Sequence, residues 1–578
     1  MPATRLRRLR GGALLLVMAI LGMMALGPAS VAQASTYVPI IGAGSTYAYP
    51  ALNQWATNLE SQGLSISYTP NGSASGRQNY LANTVDYAGS DIAFLTKGDA
   101  DPFAGVDIQQ TNFAYSYIPD VAGGLSFLYN LQVDGHKIRN MRLSGKTLAE
   151  IFTGQISNWD NPAITHDYGQ QLPSIPITVV TRSDGAGESY FLTNWMLKEY
   201  SSLWVPYCKA QGGGSLCNTT PTEFYPAQHA GFKALDGAQD VEQYVNSPVN
   251  NGAIGYAEYA YAIPDQIPVV SMLNAGGYYV QPTASNVAIA LEKAQINEDP
   301  SSVDFLMQNL VDVYTDPDPR AYPLSSYSYL IVPRNSRPGA PEGARGFPAT
   351  KGATLSTYVN YILCQAQQSA GQLGYSPLPA PMVVGGFLQD GHIPGAVKSP
   401  ASSNYSGCNN PAYENGKDVL TATAPYPNAC QKASAPLNCT VVGGKPVSTN
   451  SSGNGGGNSS NGGAGSPTGG SSKGPSGSTT NNGPSSGPSS GVKINPNTGQ
   501  VESGTSATNT DVNAVPVGLA SSPQEQWLFG SLTAVVLLAV IAVPTLLGAS
   551  LQRAGRRQAY GSGGSGGQPG SASNVTDI

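Results

Sequence analysis

Between residues 36 and 385 the chain alternates short apolar runs, small-residue turns and longer mixed stretches. Val38-Pro-Ile-Ile41 leads through a Gly-rich turn into a stretch that predicts a helix over 49–61. Ser65-Ile-Ser-Tyr68 leads through a Gly/Ser turn into a second predicted helix over 77–83. Tyr87-Ala-Gly-Ser90 reads as a strand that ends at Asp91. Ile177-Thr-Val-Val180 reads as another, followed by a glycine-rich turn and a helix over 190–198. Strand–turn–helix order repeated in this way predicts α/β lobes with parallel sheets. A folded region of residues 36–444 is too long for one ordinary core and suits two lobes with an appendage.

Hydropathy sets the ends apart from this middle. Residues 1–34 carry Arg5, Arg7, Arg8 and Arg10, then the apolar run from Ala13 to Leu26, then Ala32-Gln33-Ala34. That order is the pattern of a secretory signal. A second apolar run within 526–548, from Trp527 to Leu547, is long enough to span a hydrocarbon core of roughly 30 Å. Arg553, Arg556 and Arg557 follow it and predict a cytoplasmic tail over 549–578. The stretch 445–522 is dominated by Ser, Gly, Asn, Thr and Pro and predicts a disordered tether. As a flexible coil about 70 residues of it span roughly 45–50 Å. Residues 386–444 are Gly/Asn/Pro-rich and read as a Cys-containing extension. The expected protein is anchored by one C-terminal transmembrane helix, with most of its mass outside the cell membrane.

The net charge of −6, with 11% charged residues, argues against a nucleic-acid partner. All six cysteines fall in the region expected outside the cell, which favours disulfides over metal ligands. Fifteen pairings are possible. Cys208 with Cys217, flanking Gly212 to Gly214, is the most local. The four histidines are scattered without metal-ligand spacing, and neither a nucleophile elbow in the folded region nor a phosphate-binding P-loop motif is present. Neither catalysis nor a cofactor is expected.

Three turns share one design: Gly42-Ala-Gly-Ser-Thr-Tyr47, Asn71-Gly-Ser-Ala-Ser-Gly76 and Arg182-Ser-Asp-Gly-Ala-Gly-Glu-Ser189. Each sets glycines and hydroxyls before a predicted helix, where free backbone N–H groups attract an anion. Taken singly, each could be ordinary helix capping by Ser or Thr. Arg182 adds a cation with fork geometry, and Asp184 beside it is expected to brace it or the loop.

In these turns and beyond, the chain resembles the PstS family, the phosphate-binding proteins of bacterial phosphate ABC transporters. The resemblance spans about residues 40–380. It rests on Gly42-Ala-Gly-Ser-Thr46, Ala82-Asn-Thr-Val-Asp-Tyr-Ala-Gly-Ser-Asp91, Leu143-Ser-Gly-Lys-Thr-Leu148, Ile151-Phe-Thr-Gly154, Ile156-Ser-Asn-Trp-Asp160, Asn251-Gly-Ala-Ile-Gly-Tyr256 and Tyr375-Ser-Pro-Leu-Pro379. It implies a two-lobed, hinged solute-binding protein of the type II periplasmic kind, over residues 36–385. Lobe one would comprise about 36–125 and 265–385, and lobe two about 126–264. It further implies inorganic phosphate as ligand and an ABC permease as partner. Thr46, the N–H of Tyr47 and Ser73 would donate to phosphate, Asp91 would accept from a protonated phosphate oxygen, and Arg182 would pair with another.

The third turn departs from the family pattern, which has Arg-x-Asp-Gly-Ser-Gly-Thr; here Ala186 and Glu188 replace the two hydroxyl residues. Three readings stay open. Glu188 could turn outward as a first-turn acid, leaving Gly187, Ser189 or other backbone groups to fill in. The site could take another ligand, one with a donor for Glu188. Or Glu188 could pair with Arg182 and leave a surface module for sensing or adhesion without phosphate transport.

Overall fold

The computed structural model describes residues 37–449, apart from 96–99, 105–108, 110, 338–339, 400–404 and 415–416. The expected signal segment, the tether beyond 449, the apolar run 526–548 and the tail 549–578 lie outside the described residues. Among the described residues no helix is long and apolar enough to cross a membrane.

One mixed sheet organises the chain. Its strands are β1 (Ile40–Gly44), β2 (Ile66–Pro70), β3 (Tyr87–Ser90), β4 (Tyr115–Asn130), β5 (Thr178–Arg182), β6 (Phe232–Leu235), β7 (Ala253–Glu258) and β8 (Ser325–Pro333). They lie in the order β2-β1-β3-β8-β4-β7-β5-β6. The outer pairs β1–β2, β1–β3, β5–β7 and β5–β6 are parallel, as the strand–turn–helix pattern predicts. The centre is not: β8 runs antiparallel to β3 and β4, and β7 antiparallel to β4. The strictly parallel expectation fails there because β4 and β8 are long, fully buried strands without the turn signals that mark the others.

β4 belongs to both lobes of this α/β fold. Tyr115 to Gly124 pair with β8, whereas Leu125 to Asn130 pair with β7. Gly123 and Gly124 sit at the change of partner. A Cβ on Gly124 would lie 2.4 Å from Pro282 Cβ, and one on Gly123 would lie 2.7 Å from Glu258 Oε1. The glycines are there to admit these neighbours. Ser271–Leu273, expected in lobe one, pairs with Arg142–Leu143, expected in lobe two.

Two boundaries move. Ala380–Asp390 is a continuous helix, so the break expected at 385/386 falls inside it. Gly385 and Gly386 suggest a breaker in sequence, but they serve close packing against Leu306 and Leu363. Lys445–Ser448, expected to open the tether, instead pairs with Cys439–Val442 as a hairpin, with Gly443 and Gly444 at positive φ in its turn. The disulfides are Cys208–Cys217, Cys364–Cys408 and Cys430–Cys439, and the second ties the extension to the helix Ala349–Leu363.

Gly124→Ala is expected to destabilise the protein by about 1–3 kcal/mol through overpacking. Gly371→Ala, at a residue with ordinary helical φ and open space around its Cβ position, should be neutral or slightly stabilising. Urea unfolding of the two variants side by side checks the contrast.

Candidate functional site

Three helices begin at the carboxyl ends of strands: α1 (Tyr49–Glu60), α2 (Ser73–Leu81) and α3 (Gly187–Glu199). Their N-cap residues are Ala48, Gly72 and Ala186, and none supplies a side-chain cap. Ordinary capping therefore does not account for the hydroxyls of these turns. Those of Ser45, Thr46 and Ser73 point instead to one buried spot between the lobes, at Asp91 and Glu188.

Asp91, at the end of β3, collects two of them and a third hydroxyl from β8. Ser45 and Ser328 donate to Oδ1, both at 2.7 Å, and Ser73 donates to Oδ2 at 2.9 Å. Asp91 caps no helix. Its carboxyl sits against the start of α3, where a Cβ on Gly187 would come within 2.1 Å of Oδ2. Only glycine permits that approach. Burial pushes the Asp91 carboxyl above its ordinary range, against the pull of the three hydroxyls and Arg182.

Arg182 ends β5 with its guanidinium fully buried. Asp184 holds the edge formed by Nε and Nη2, with Nε donating to Oδ1 at 2.7 Å, and Asp184 Oδ1 also accepts from the Gly237 N–H at 3.1 Å. Nη1 donates to Glu188 Oε2 at 2.8 Å. Burial opposes the charge on Arg182, but Glu188 and Asp184 outweigh it and raise its pKa. Burial also works against ionised Asp184, yet Arg182 keeps its carboxyl below the usual range.

Glu188, the second residue of α3, is 1% exposed and turns inward. The outward orientation does not hold. Its Oε1 accepts from Thr46 Oγ1 at 3.2 Å, so the carboxylate links the first turn of lobe one to Arg182 of lobe two. Burial raises its carboxyl to about 7, with Arg182 pulling down and Asp91 and Asp184 pushing up. A helix N-terminus, a hydroxyl and a guanidinium are the partners of a bound oxyanion. Here a side chain supplies the anion.

The other expected donors are engaged elsewhere. The Tyr47 N–H donates to Ser45 Oγ at 3.0 Å. Ser189 Oγ and Tyr256 Oη lie 2.7 Å apart, turning Ser189 toward β7. Ala186 donates its N–H to the Glu223 carbonyl. Sequence reasoning missed Ser45, although it sits inside the quoted turn. It also missed Ser328, whose signal is the alternation Ser326-Tyr-Ser328 along β8. Asp120 and Glu258 are further buried acids beside the pocket, each with one carboxyl oxygen lacking a partner among the described residues. Burial pushes both carboxyls well above the ordinary range. Among the described residues no cluster of His, Cys, Asp and Glu could hold a metal ion.

The two lobes also meet outside this spot. Arg77 of α2 pairs with Glu223 at 2.5 Å, both buried, and Asp101 accepts from Thr222 Oγ1 and the Glu223 N–H. Tyr261 Oη donates to the Thr46 carbonyl at 2.7 Å.

A mixed sheet shared by two α/β lobes, with buried polar groups gathered at strand ends between them, defines a periplasmic-binding-protein-like fold. Residues 29–365 match the family described as PBP superfamily domain, and the chain belongs to it. The phosphate-binding protein PstS of Xylella fastidiosa is 29% identical over 354 residues, 61% of this chain and 85% of that protein. Its namesake from Haemophilus influenzae is 28% identical over 372 residues, 62% and 94%. Among solved structures, the high-affinity periplasmic phosphate-binding protein PfluDING aligns at 19% identity over 64% of this chain and 98% of that one, with a TM-score of 0.45.

Arg182→Met is expected to cost about 3–5 kcal/mol near neutral pH, since it strands buried carboxylates. Arg182 lowers the Glu188 pKa, so its removal drives that pKa further up and the loss shrinks as pH falls. Adding Glu188→Gln should recover part of it. Urea midpoints of single and double variants across pH 5.5–8 check this.

Proposed function

We propose that the chain is an extracytoplasmic solute-binding protein that captures inorganic phosphate between its lobes for an ABC importer, without catalysing any reaction. It would be tethered to the cell membrane by the C-terminal run 526–548. Its relatives named PstS, together with the PBP superfamily match, support this reading.

The observation that carries the choice of ligand is that Arg182 and Asp91, both buried, lie near enough for the guanidinium to act on the Asp91 carboxyl. Arg182 calls for an anion. Asp91, held by Ser45, Ser73 and Ser328, calls for a ligand that can also donate a hydrogen bond. Protonated phosphate does both, whereas sulfate meets Asp91 with only acceptors. A buried acceptor left facing another costs roughly 1–3 kcal/mol, enough to discriminate strongly. In this reading Thr46, the Tyr47 N–H, Ser73, Asp91, Arg182, Gly187 and Ser189 form the ligand shell. Lobe closure brings Thr46 to the Arg182 side.

A second reading follows from Glu188 on Arg182: a self-filled module, displayed for sensing or adhesion, that binds no phosphate. Thermal shift with phosphate and sulfate separates the two. Phosphate at about 100-fold over its Kd should add roughly 2.7 kcal/mol of stability. Sulfate should add none, and Asp91→Asn should erase the difference between the two anions. A native chain and a Glu188→Thr variant that both ignore phosphate at every pH would leave the display reading standing.

A further inference from the structure

We infer that Glu188 is a tethered competitor for phosphate, which must take up a proton and leave Arg182 before phosphate can bind, so that acidification strengthens capture. The inference rests on the phosphate reading above and concerns the regulation of that same pocket.

The argument starts from the nitrogens of Arg182. Asp184 occupies the Nε and Nη2 edge and is fixed from behind by the Gly237 N–H. The donors left for an oxyanion are the second N–H of Nη2 and those of Nη1, and Glu188 already sits on Nη1 at 2.8 Å, across the face from which they are reached. The other Glu188 oxygen accepts from Thr46 Oγ1, a hydroxyl the ligand needs as well. Phosphate and ionised Glu188 cannot share these donors, because two anions would then face each other in a dry pocket.

The surroundings decide how Glu188 can yield. From its own loop, Arg182 favours the charged form and Asp184 opposes it. From the end of β3, Asp91 opposes it. From lobe one, Thr46 donates to it and Tyr47 lies near. From β7 and the turn after it, Tyr256, Glu258 and Tyr261 face it. Among these groups only Arg182 is a cation, and Asp184 already claims much of it. Burial with that one shared counter-charge lifts the Glu188 carboxyl to about 7. Above that pH the carboxylate competes for Arg182; below it the neutral acid does not. One proton is taken up at Glu188 for each phosphate bound above this pH, and none below it.

Linkage fixes the size of the effect: one proton taken up on binding costs about tenfold in affinity per pH unit. Phosphate has its own ionisation, which is shared by every variant and cancels in a ratio. The test is the phosphate Kd of the full chain and of Glu188→Thr, by calorimetry from pH 5.5 to 8.5. Native affinity relative to Glu188→Thr should be level at low pH and fall about tenfold per unit above pH 7. Glu188→Gln keeps the shape without the charge and reads the same ratio if the Thr variant fails to fold. Equal affinities at all pH values in native and variant chains would overturn the inference while leaving phosphate binding intact. No phosphate binding by any of them would remove the functional reading itself, and this inference with it.

Discussion

A guanidinium cannot be left alone in a dry protein interior, and in this molecule the compensation for Arg182 comes from the chain itself. Asp184 holds one edge and Glu188 the other nitrogen. In a pocket open to an anion, the ligand would complete that balance. Here the carboxylate at the second position of α3 completes it, where the helix N-terminus favours negative charge. Removing one partner of a buried pair costs more than the pair contributes, so the three residues stand or fall together.

The sheet puts these groups in reach of one another. β4 serves both lobes, and β1, β3 and β8 on one side bring Ser45, Asp91 and Ser328 to the same level. β5 and β7 on the other side bring Arg182 and Tyr256. Side chains make contacts between the lobes: Thr46 with Glu188, Arg77 with Glu223, Asp101 with Thr222. The buried polar groups between the lobes are thus satisfied largely by one another. Under the proposed function, affinity for phosphate is a difference between two anions competing for the same donors, not a sum of contacts.

Much of this was legible in the residues. The turns announced themselves through glycines and hydroxyls between apolar runs, and the strand read at Tyr87–Ser90 has those bounds. Thr46, Ser73 and Arg182 lie in such turns, Asp91 ends a strand, and the resemblance to the PstS family singled out all four. β4 was not legible, because Pro119, Gly123 and Gly124 look like breakers yet lie inside a buried strand. Ser328, Tyr256 and Glu258 reach the pocket from strands far along the chain, which no local pattern reports. The direction of Glu188 depends on how α3 is rotated against Arg182. Sequence named the anomaly at this position but left its orientation open.

The most direct measurement is a crystal structure of the protein with phosphate, grown at acidic pH. The account predicts phosphate between Arg182 Nη1 and Asp91, with Glu188 swung off both Arg182 and Thr46. Phosphate bound elsewhere, with the Arg182–Glu188 pair intact, would contradict it.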